Sequence, residues 1–428
     1  MPKSKRQVLL ELDGRTLEGG GQLIRIALCL SALTASPIQI DNIRGNRSGG
    51  SGLQPQHLAC VQWLGKACNA QLSGVGKGSK TLTFVPGELA AEVSPVFAKK
   101  SLGEDGQFYE CQLDIGTAGS TGLALQAILP FILFTRLPTE SRIYLRVSGG
   151  TNVSGSPSYE YIKYVLLPTL ARIGFPNIEV NLAKRGWSQG GTSIGSFTLT
   201  IPPRPSSILP AFVYRPKDLQ AKPAQPDRLR AVFLAPASCH EHFRKVLLPA
   251  ISHHFGDSML SEVGSGAGQK LTLECENSQH DKRMYFILIA TVPAKDGTGS
   301  YTLGRDWLYE RKISSHQRAT TEMVERVTNG LANEWASGAW IDEHMRDQLV
   351  IFQALARGRS HVFSGVDEDG REQLREPSLH ARTAEWVAKQ VLRTTFDAEG
   401  TCEGLGYGSE EDATVDGLEE GLRQVDLG

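Results

Sequence analysis

The chain has 428 residues, of which 40% are hydrophobic and 21% charged, and its formal net charge is −1. This is an ordinary globular composition with length for a large core and more than one domain. The near-zero charge argues against a protein that coats long nucleic acid through a basic surface, but leaves room for a local arginine pocket around one terminal phosphate.

The seven cysteines form no CxxC pair and read as free thiols of a reducing compartment. No signal peptide is recognisable, and Lys3, Lys5 and Arg6 are too few to make a targeting segment. The longest apolar run, 123–134, holds Gln126 and Pro130 and is too short for a bilayer. A buried helix is expected there, in an intracellular protein without a membrane partner.

In chain order, strand 8–12 precedes a glycine turn and a helix over 22–34. Strand 37–43, a helix over 55–69 and strands 71–76 and 80–85 follow. The same order returns as strand 108–114, helix 119–134, strand 142–148, helix 157–173 and strands near 177–183 and 196–201. Two consecutive β-α-β-α-β-β units predict an internally duplicated α/β (α+β) architecture. A proline-rich stretch from 202 opens a small inserted α/β domain, expected over 202–279. It holds strand 231–234, helix 241–255 and strand 270–274. A third unit is expected from strand 284–291 onward, with helices over 317–335, 341–357 and 383–394 and a strand at 361–363. The large domain thus spans 1–201 and 280–408, with a surface loop at 366–375. Residues 409–428 are acidic and poor in apolar residues, the pattern of a disordered tail.

Candidate chemistry sits at the helix starts. Glu18-Gly19-Gly20-Gly21-Gln22 with Arg25 places an acid, an amide and a base around a turn without Cβ atoms. A ligand can approach such a backbone beside the anion-favouring N-terminus of a helix. Arg44 and Arg47, a glycine loop, and Gln56 and His57 opening the second helix would suit a phosphate; taken alone, a solvated loop with a capped helix is the simpler reading. Gln126 in an apolar helix is a hydrogen-bond hub or a ligand contact. Ile341, Met345, Leu349, Phe352 and Leu355 form one helical stripe, with His344, Asp347 and Gln348 on the next. A site and a solvated face are both open readings of that second stripe. His380 stands near a helix N-terminus, where the dipole disfavours its protonated form. A neutral imidazole is what a nitrogen nucleophile requires, although a lone histidine is more often a packing residue. The segment Gly74-Val75-Gly76-Lys77-Gly78-Ser79 lacks phosphate-loop spacing and reads as a hairpin turn. Cys239-His240-Glu241-His242 fits no zinc pattern and reads as an ordinary helix.

Taken together, DGRTLEGGGQLIRIALCLSAL, IQIDNIRGN with GLQPQHL, LDIGTAGSTGLALQAILP, LRVSGGTNV, IDEHMRDQLVIFQALARG and SLHARTAEWVAKQ resemble, in order, the RNA 3'-terminal phosphate cyclase family. The resemblance covers most of 8–200 and 284–408. It implies three repeated units interrupted by a small domain. It also implies ATP-dependent conversion of an RNA 3'-phosphate to a 2',3'-cyclic phosphate through adenylyl-histidine and RNA-(3')pp(5')A, with ATP as co-substrate and Mg2+ as metal. His380 then matches the nucleophile. Gln126, Pro157, His344, Asp347 and Gln348 match the ATP pocket. Glu18, Gln22, Arg25, Arg44, Arg47, Gln56 and His57 match the pocket for phosphates and the RNA end. The chain departs from the family pattern in the turn 186–195, at Gln54 where arginine is common, and at Lys80. A non-catalytic scaffold protein of ribosome biogenesis with the same fold is the alternative; such relatives lack the histidine. Residence in the nucleus (nucleoplasm) or cytoplasm is the matching expectation. The protein ligands of the metal and the oligomeric state stay open.

Overall fold

A computed structural model describes residues 8–47, 50–87, 93–101, 107–137, 141–204, 206, 208–219, 222–264, 268–367 and 373–408. The expected acidic tail and part of the expected loop at 366–375 lie outside these residues.

In the first unit, β1 (Leu10–Asp13) leads through the glycine turn into α1 (Gly21–Thr34). Next come β2 (Ile38–Asp41), α2 (Pro55–Ala67), β3 (Gln71–Ser73) and β4 (Leu82–Val85). The strand order is β1-β2-β4-β3, with β1 and β2 parallel and the other pairs antiparallel. The glycine-rich 74–79 segment joins the β3–β4 hairpin, as its spacing suggests.

The second unit adds an edge strand, β5 (Ala98–Ser101), and then repeats the pattern. Its elements are β6 (Gln107–Asp114), α3 (Thr121–Phe134), β7 (Ile143–Gly149), α4 (Tyr159–Tyr161), α5 (Leu167–Arg172), β8 (Glu179–Lys184) and β9 (Gly195–Ile201). A π-turn over Ile162–Leu166 joins α4 to α5. The order is β5-β6-β7-β9-β8, with β6 and β7 parallel.

The chain then forms β10 (Val213–Tyr214) and leaves the repeat. It builds β11 (Arg228–Ala235), α6 (His240–Phe255), β12 (Val263–Gly264), β13 (Leu271–Asn277), β14 (Tyr285–Pro293), β15 (Ser300–Leu308) and α7 (His316–Ala336). These strands form one sheet, β12-β13-β11-β14-β15, with α7 packed against α6, β14 and β15. The repeat resumes with α8 (Glu343–Leu355), β16 (Arg357–Val362), α9 (Leu379–Leu392) and β17 (Thr401–Leu405). In this third sheet β10 pairs parallel with β16, and β16 antiparallel with β17.

Three units therefore share a parallel pair flanked by an antiparallel strand; among the described residues the third has one strand fewer than the first, and it is interrupted between its first strand and first helix. The boundary expected at 279/280 falls inside a sheet: β11 pairs with both β13 and β14 across it. The prolines mark where the chain leaves the second unit, not where the inserted sheet begins or ends.

Between the sheets, α1 packs against α2, α3 and α9, and α8 packs against α9. From Gln22 to Leu33 every residue of α1 is buried, as is α3 from Ala124 to Phe134. Neither helix shows a polar face because each has neighbours all round.

Candidate active site

The N-terminal turns of the helices meet around the glycine turn. Glu18 N–H donates to Thr383 Oγ1 at 3.1 Å, which docks the turn onto α9. The Glu18 carboxylate is buried and ion-paired to Arg47. A Cβ at Gly20 would strike the Glu18 carboxylate and Arg47, and one at Gly21 would lie 2.5 Å from His57 Nε2 and 2.6 Å from an Arg25 nitrogen. Only glycine lets these groups close on the start of α1, whose N-cap Gly20 supplies no side-chain cap. The first-turn amides of α1 are left for an anion.

Arg25 is the hub. Its Nε donates to Gln126 Oε1 at 2.7 Å and its Nη2 to Gln22 Oε1 at 2.6 Å. Gln126 Nε2 donates to Asp347 Oδ2, and Gln348 Nε2 to Asp347 Oδ1, each at 3.3 Å. All five side chains are buried. Arg25, Gln126 and Asp347 come from α1, α3 and α8, the first helices of the three units, each within the second turn. The repeat therefore brings second-turn residues of three units into one network. Gln126 is the hub its burial suggested, with both ends of its amide engaged. Asp347 and Gln348 are not on a solvated face; His344 is exposed.

Burial lowers the Arg25 pKa to about 10, opposed by the Asp347 carboxylate, so the guanidinium stays charged at neutral pH. Burial likewise raises the Asp347 pKa, while His380 and Arg25 pull it down. His57 is pushed down to about 3, by burial first and then by Arg25 and Arg44. Its Nδ1 accepts from Gln54 N–H at 3.3 Å, so in the neutral ring Nε2 carries the proton. That Nε2 and Gln22 Nε2 are buried without partners. The second Glu18 oxygen, Oε2, also has none. Two bare donors and one carboxylate oxygen thus surround the glycine turn, and buried orphans of this kind mark a place for an absent group.

His380 is the second residue of α9, behind the N-cap Ser378, whose hydroxyl accepts from Ala381 N–H at 3.2 Å. Its ring is exposed and makes no hydrogen bond among the described residues. Desolvation lowers its pKa; Asp347 opposes this, and Arg25, Arg47 and His344 add to it. The imidazole is neutral at neutral pH and lies in the field of Arg25 and Arg47.

The remaining expected residues border this centre. Gln56 accepts from Ser120 N–H at 3.0 Å through Oε1, so that oxygen ties α2 to the start of α3. Arg44 donates to Gly50 O at 2.9 Å. Pro157 lies against the first turn of α3, where a Cβ at Gly122 would be 2.2 Å from its carbonyl oxygen. The His344 ring sits 6.4 Å from that of Tyr161, edge-on.

A family model described as RNA 3'-terminal phosphate cyclase matches residues 16–398. The chain belongs to the RNA 3'-terminal phosphate cyclase family. A protein of that name from Methanosarcina acetivorans is 30% identical over 399 residues, covering 91% of this chain and 97% of its own. One from Caldivirga maquilingensis is 32% identical over 373 residues, covering 82% and 86%. One from Pyrobaculum neutrophilum is 30% identical over 417 residues, covering 93% and 99%. These relatives are archaeal, so the expected nuclear residence finds no support in them. Among the described residues no helix is long and apolar enough to cross a membrane.

Three residues that brace this region escaped the sequence reading. Asp342 caps α8 and also accepts from Tyr161 Oη at 2.5 Å and from Gly304 N–H at 2.9 Å. An acid just before a periodic helix was a legible cap signal. Tyr161 reads as one more apolar helix residue. Thr383 meets Glu18 across 365 residues, and nothing local announces that.

Proposed function

We propose that this chain is an ATP-dependent RNA 3'-terminal phosphate cyclase that works through adenylyl-His380. The observation that carries the reading is a neutral His380, without a hydrogen bond among the described residues and in the field of Asp347, Arg25 and Arg47, on a helix tied to a glycine turn whose buried donors lack partners. A ring nitrogen of His380 attacks the α-phosphorus of ATP, and the bond to pyrophosphate breaks. The imidazole becomes positively charged as its N–P bond forms, and the Asp347 carboxylate stabilises that charge. His57 Nε2–H, Gln22 Nε2–H, Arg25 and the α1 amides offer positive charge to the phosphate oxygens. An oxygen of the RNA 3'-phosphate then attacks the adenylyl phosphorus, and His380 leaves as a neutral ring. The adjacent 2'-hydroxyl attacks the 3'-phosphorus, closing the cyclic phosphate and expelling AMP. Pro157, His344, Asp347 and Gln348 are assigned to the nucleotide. Arg44, Arg47 and Gln56 are assigned to the RNA end.

Magnesium prefers one or two carboxylates plus substrate phosphates over an all-protein cage. Among the described residues no cluster of three or more His, Cys, Asp or Glu is placed to hold a metal. Glu18, with one bare buried oxygen, fits the single protein ligand such an arrangement needs. When bound, the metal would neutralise triphosphate charge.

The test is incubation with magnesium and ATP labelled at the α- or the γ-phosphate, on wild type and His380→Ala. Acid-labile, alkali-stable label from α-labelled ATP on wild type alone is the expected result. A folded wild type that binds RNA and takes no label would point to a non-catalytic member. Label surviving in His380→Ala would move the nucleophile elsewhere.

A further inference from the structure

On the outer face of the second sheet, side chains alternate with the buried Tyr109, Cys111 and Leu113 of β6 and Ile143, Leu145 and Val147 of β7. In register, Glu110 faces Tyr144 and Gln112 faces Arg146. The Tyr144 ring meets Phe108 edge-on at 5.1 Å. Beside this face, between β5, β6 and α2, lies a cavity of about 540 Å³ lined by Trp63, Lys66, Lys100, Tyr144 and Arg146 among others. Three cations line it against one carboxylate, Glu110. Among the described residues, the side chains of Lys66, Lys100 and Arg146 form no ion pair or hydrogen bond. Unpaired cations interleaved with aromatic rings on an open sheet are the chemistry that holds a single-stranded nucleic acid.

Helix α2 links the cavity to the candidate site. Helix α2 begins at the site with Gln56 and His57 and runs back along β6. Gln56 meets Ser120, and two turns later Trp63 Nε1 donates to Gln112 O at 3.1 Å. From Gln56 to Lys66 is about 15 Å at the helical rise, room for about four nucleotides at a stacked spacing of ~3.4 Å.

We propose that this face is the track for the RNA strand immediately upstream of its 3'-phosphate, an assignment that rests on the cyclase reading of the site. Lys66, Lys100 and Arg146 take backbone phosphates, and Tyr144 offers a face for a base. The track is short, so it agrees with a near-neutral chain.

The test compares wild type with Lys66→Glu/Lys100→Glu/Arg146→Glu and with Tyr144→Ala. Probes are a single-stranded 12-nucleotide RNA and a dinucleotide, both ending in a 3'-phosphate, titrated by fluorescence anisotropy at several salt concentrations. Self-labelling from α-labelled ATP is measured alongside. The charge-reversed protein is expected to lose tenfold or more in affinity for the 12-mer, with a salt slope shallower by about two. Its dinucleotide affinity and self-labelling should equal wild type. Tyr144→Ala should weaken the 12-mer roughly tenfold. Unchanged 12-mer affinity in both variants, or an equal loss on both probes, would overturn the track. A wild type without label, whose hold on the 12-mer still falls on charge reversal, would overturn the cyclase reading and leave the track standing.

Discussion

A buried imidazole with one nitrogen satisfied and the other bare costs free energy, and that cost depends on pH. His57 has a folded pKa of about 3 against an ordinary value of 6.5. Below pH 6.5 the unfolded chain takes up the proton that the folded one refuses. The stability His57 allows is therefore complete above pH 6.5 and is lost as pH falls toward 3, by about 3 kcal/mol at pH 4. Urea unfolding of wild type and His57→Gln between pH 7 and 4 should show the steeper decline in wild type. At His380 the sign concerns activity, since in the proposed role the ring attacks only when neutral. Self-labelling should hold into mildly acidic conditions because desolvation and neighbouring cations keep the pKa low. Removing one of those cations with Arg47→Gln should move the acidic limb of the labelling profile to higher pH. Both histidines stood out in the sequence because each opens a helix. Which was buried and which exposed was not legible, since that depends on Arg25 and Gly21 for His57 and on the open end of α9 for His380.

Elements meet at this site through close contacts that only small residues allow. A Cβ at Gly122 would meet the Pro157 backbone, so Gly122→Ala must push the start of α3 from the segment before α4. Overpacking of this kind costs about 1–3 kcal/mol, readable as a lower urea midpoint. If Pro157 lines the nucleotide pocket, the KM for ATP should rise as well. Thr383→Val deletes the hydroxyl that accepts from Glu18 N–H and donates to Leu379 O. About 1 kcal/mol of stability should go with it, and self-labelling should slow if His380 is the nucleophile, because its helix loses its tether to the glycine turn. The first two units were legible because their strands alternate and their helices are long. The third was not: its first strand is two residues, Val213–Tyr214, parted from its helix by the whole inserted sheet. β15 also went unseen, since Gly304, Arg305 and Asp306 interrupt its alternation. Gly304 is there for packing, as a Cβ would lie 2.7 Å from Val165.

Across the whole molecule, Asp342 joins the parts. Its carboxylate takes donors from α4 of the second unit, from β15 of the inserted sheet and from its own helix in the third unit. Asp342→Ala would strand several buried donors at once and should cost about 3 kcal/mol or more. Differential scanning calorimetry should then separate the melting of the inserted sheet from that of the repeats, because their shared bolt is gone. The three-unit architecture also explains why no single stretch of sequence displays the site. Arg25, Gln126 and Asp347 each look like an odd polar residue in an apolar helix, and only the repeat brings them together.

The order of these units along the chain has a consequence during synthesis. Emerging from the ribosome, the polypeptide presents its glycine turn long before α9. Because Asp347 and His380 both belong to the closing unit, a nascent chain holds the glycine turn and Arg25 long before it holds the proposed nucleophile. On the proposed mechanism a truncated or stalled product is thereby inert toward nucleotide, and the capacity to react arrives only with a finished fold.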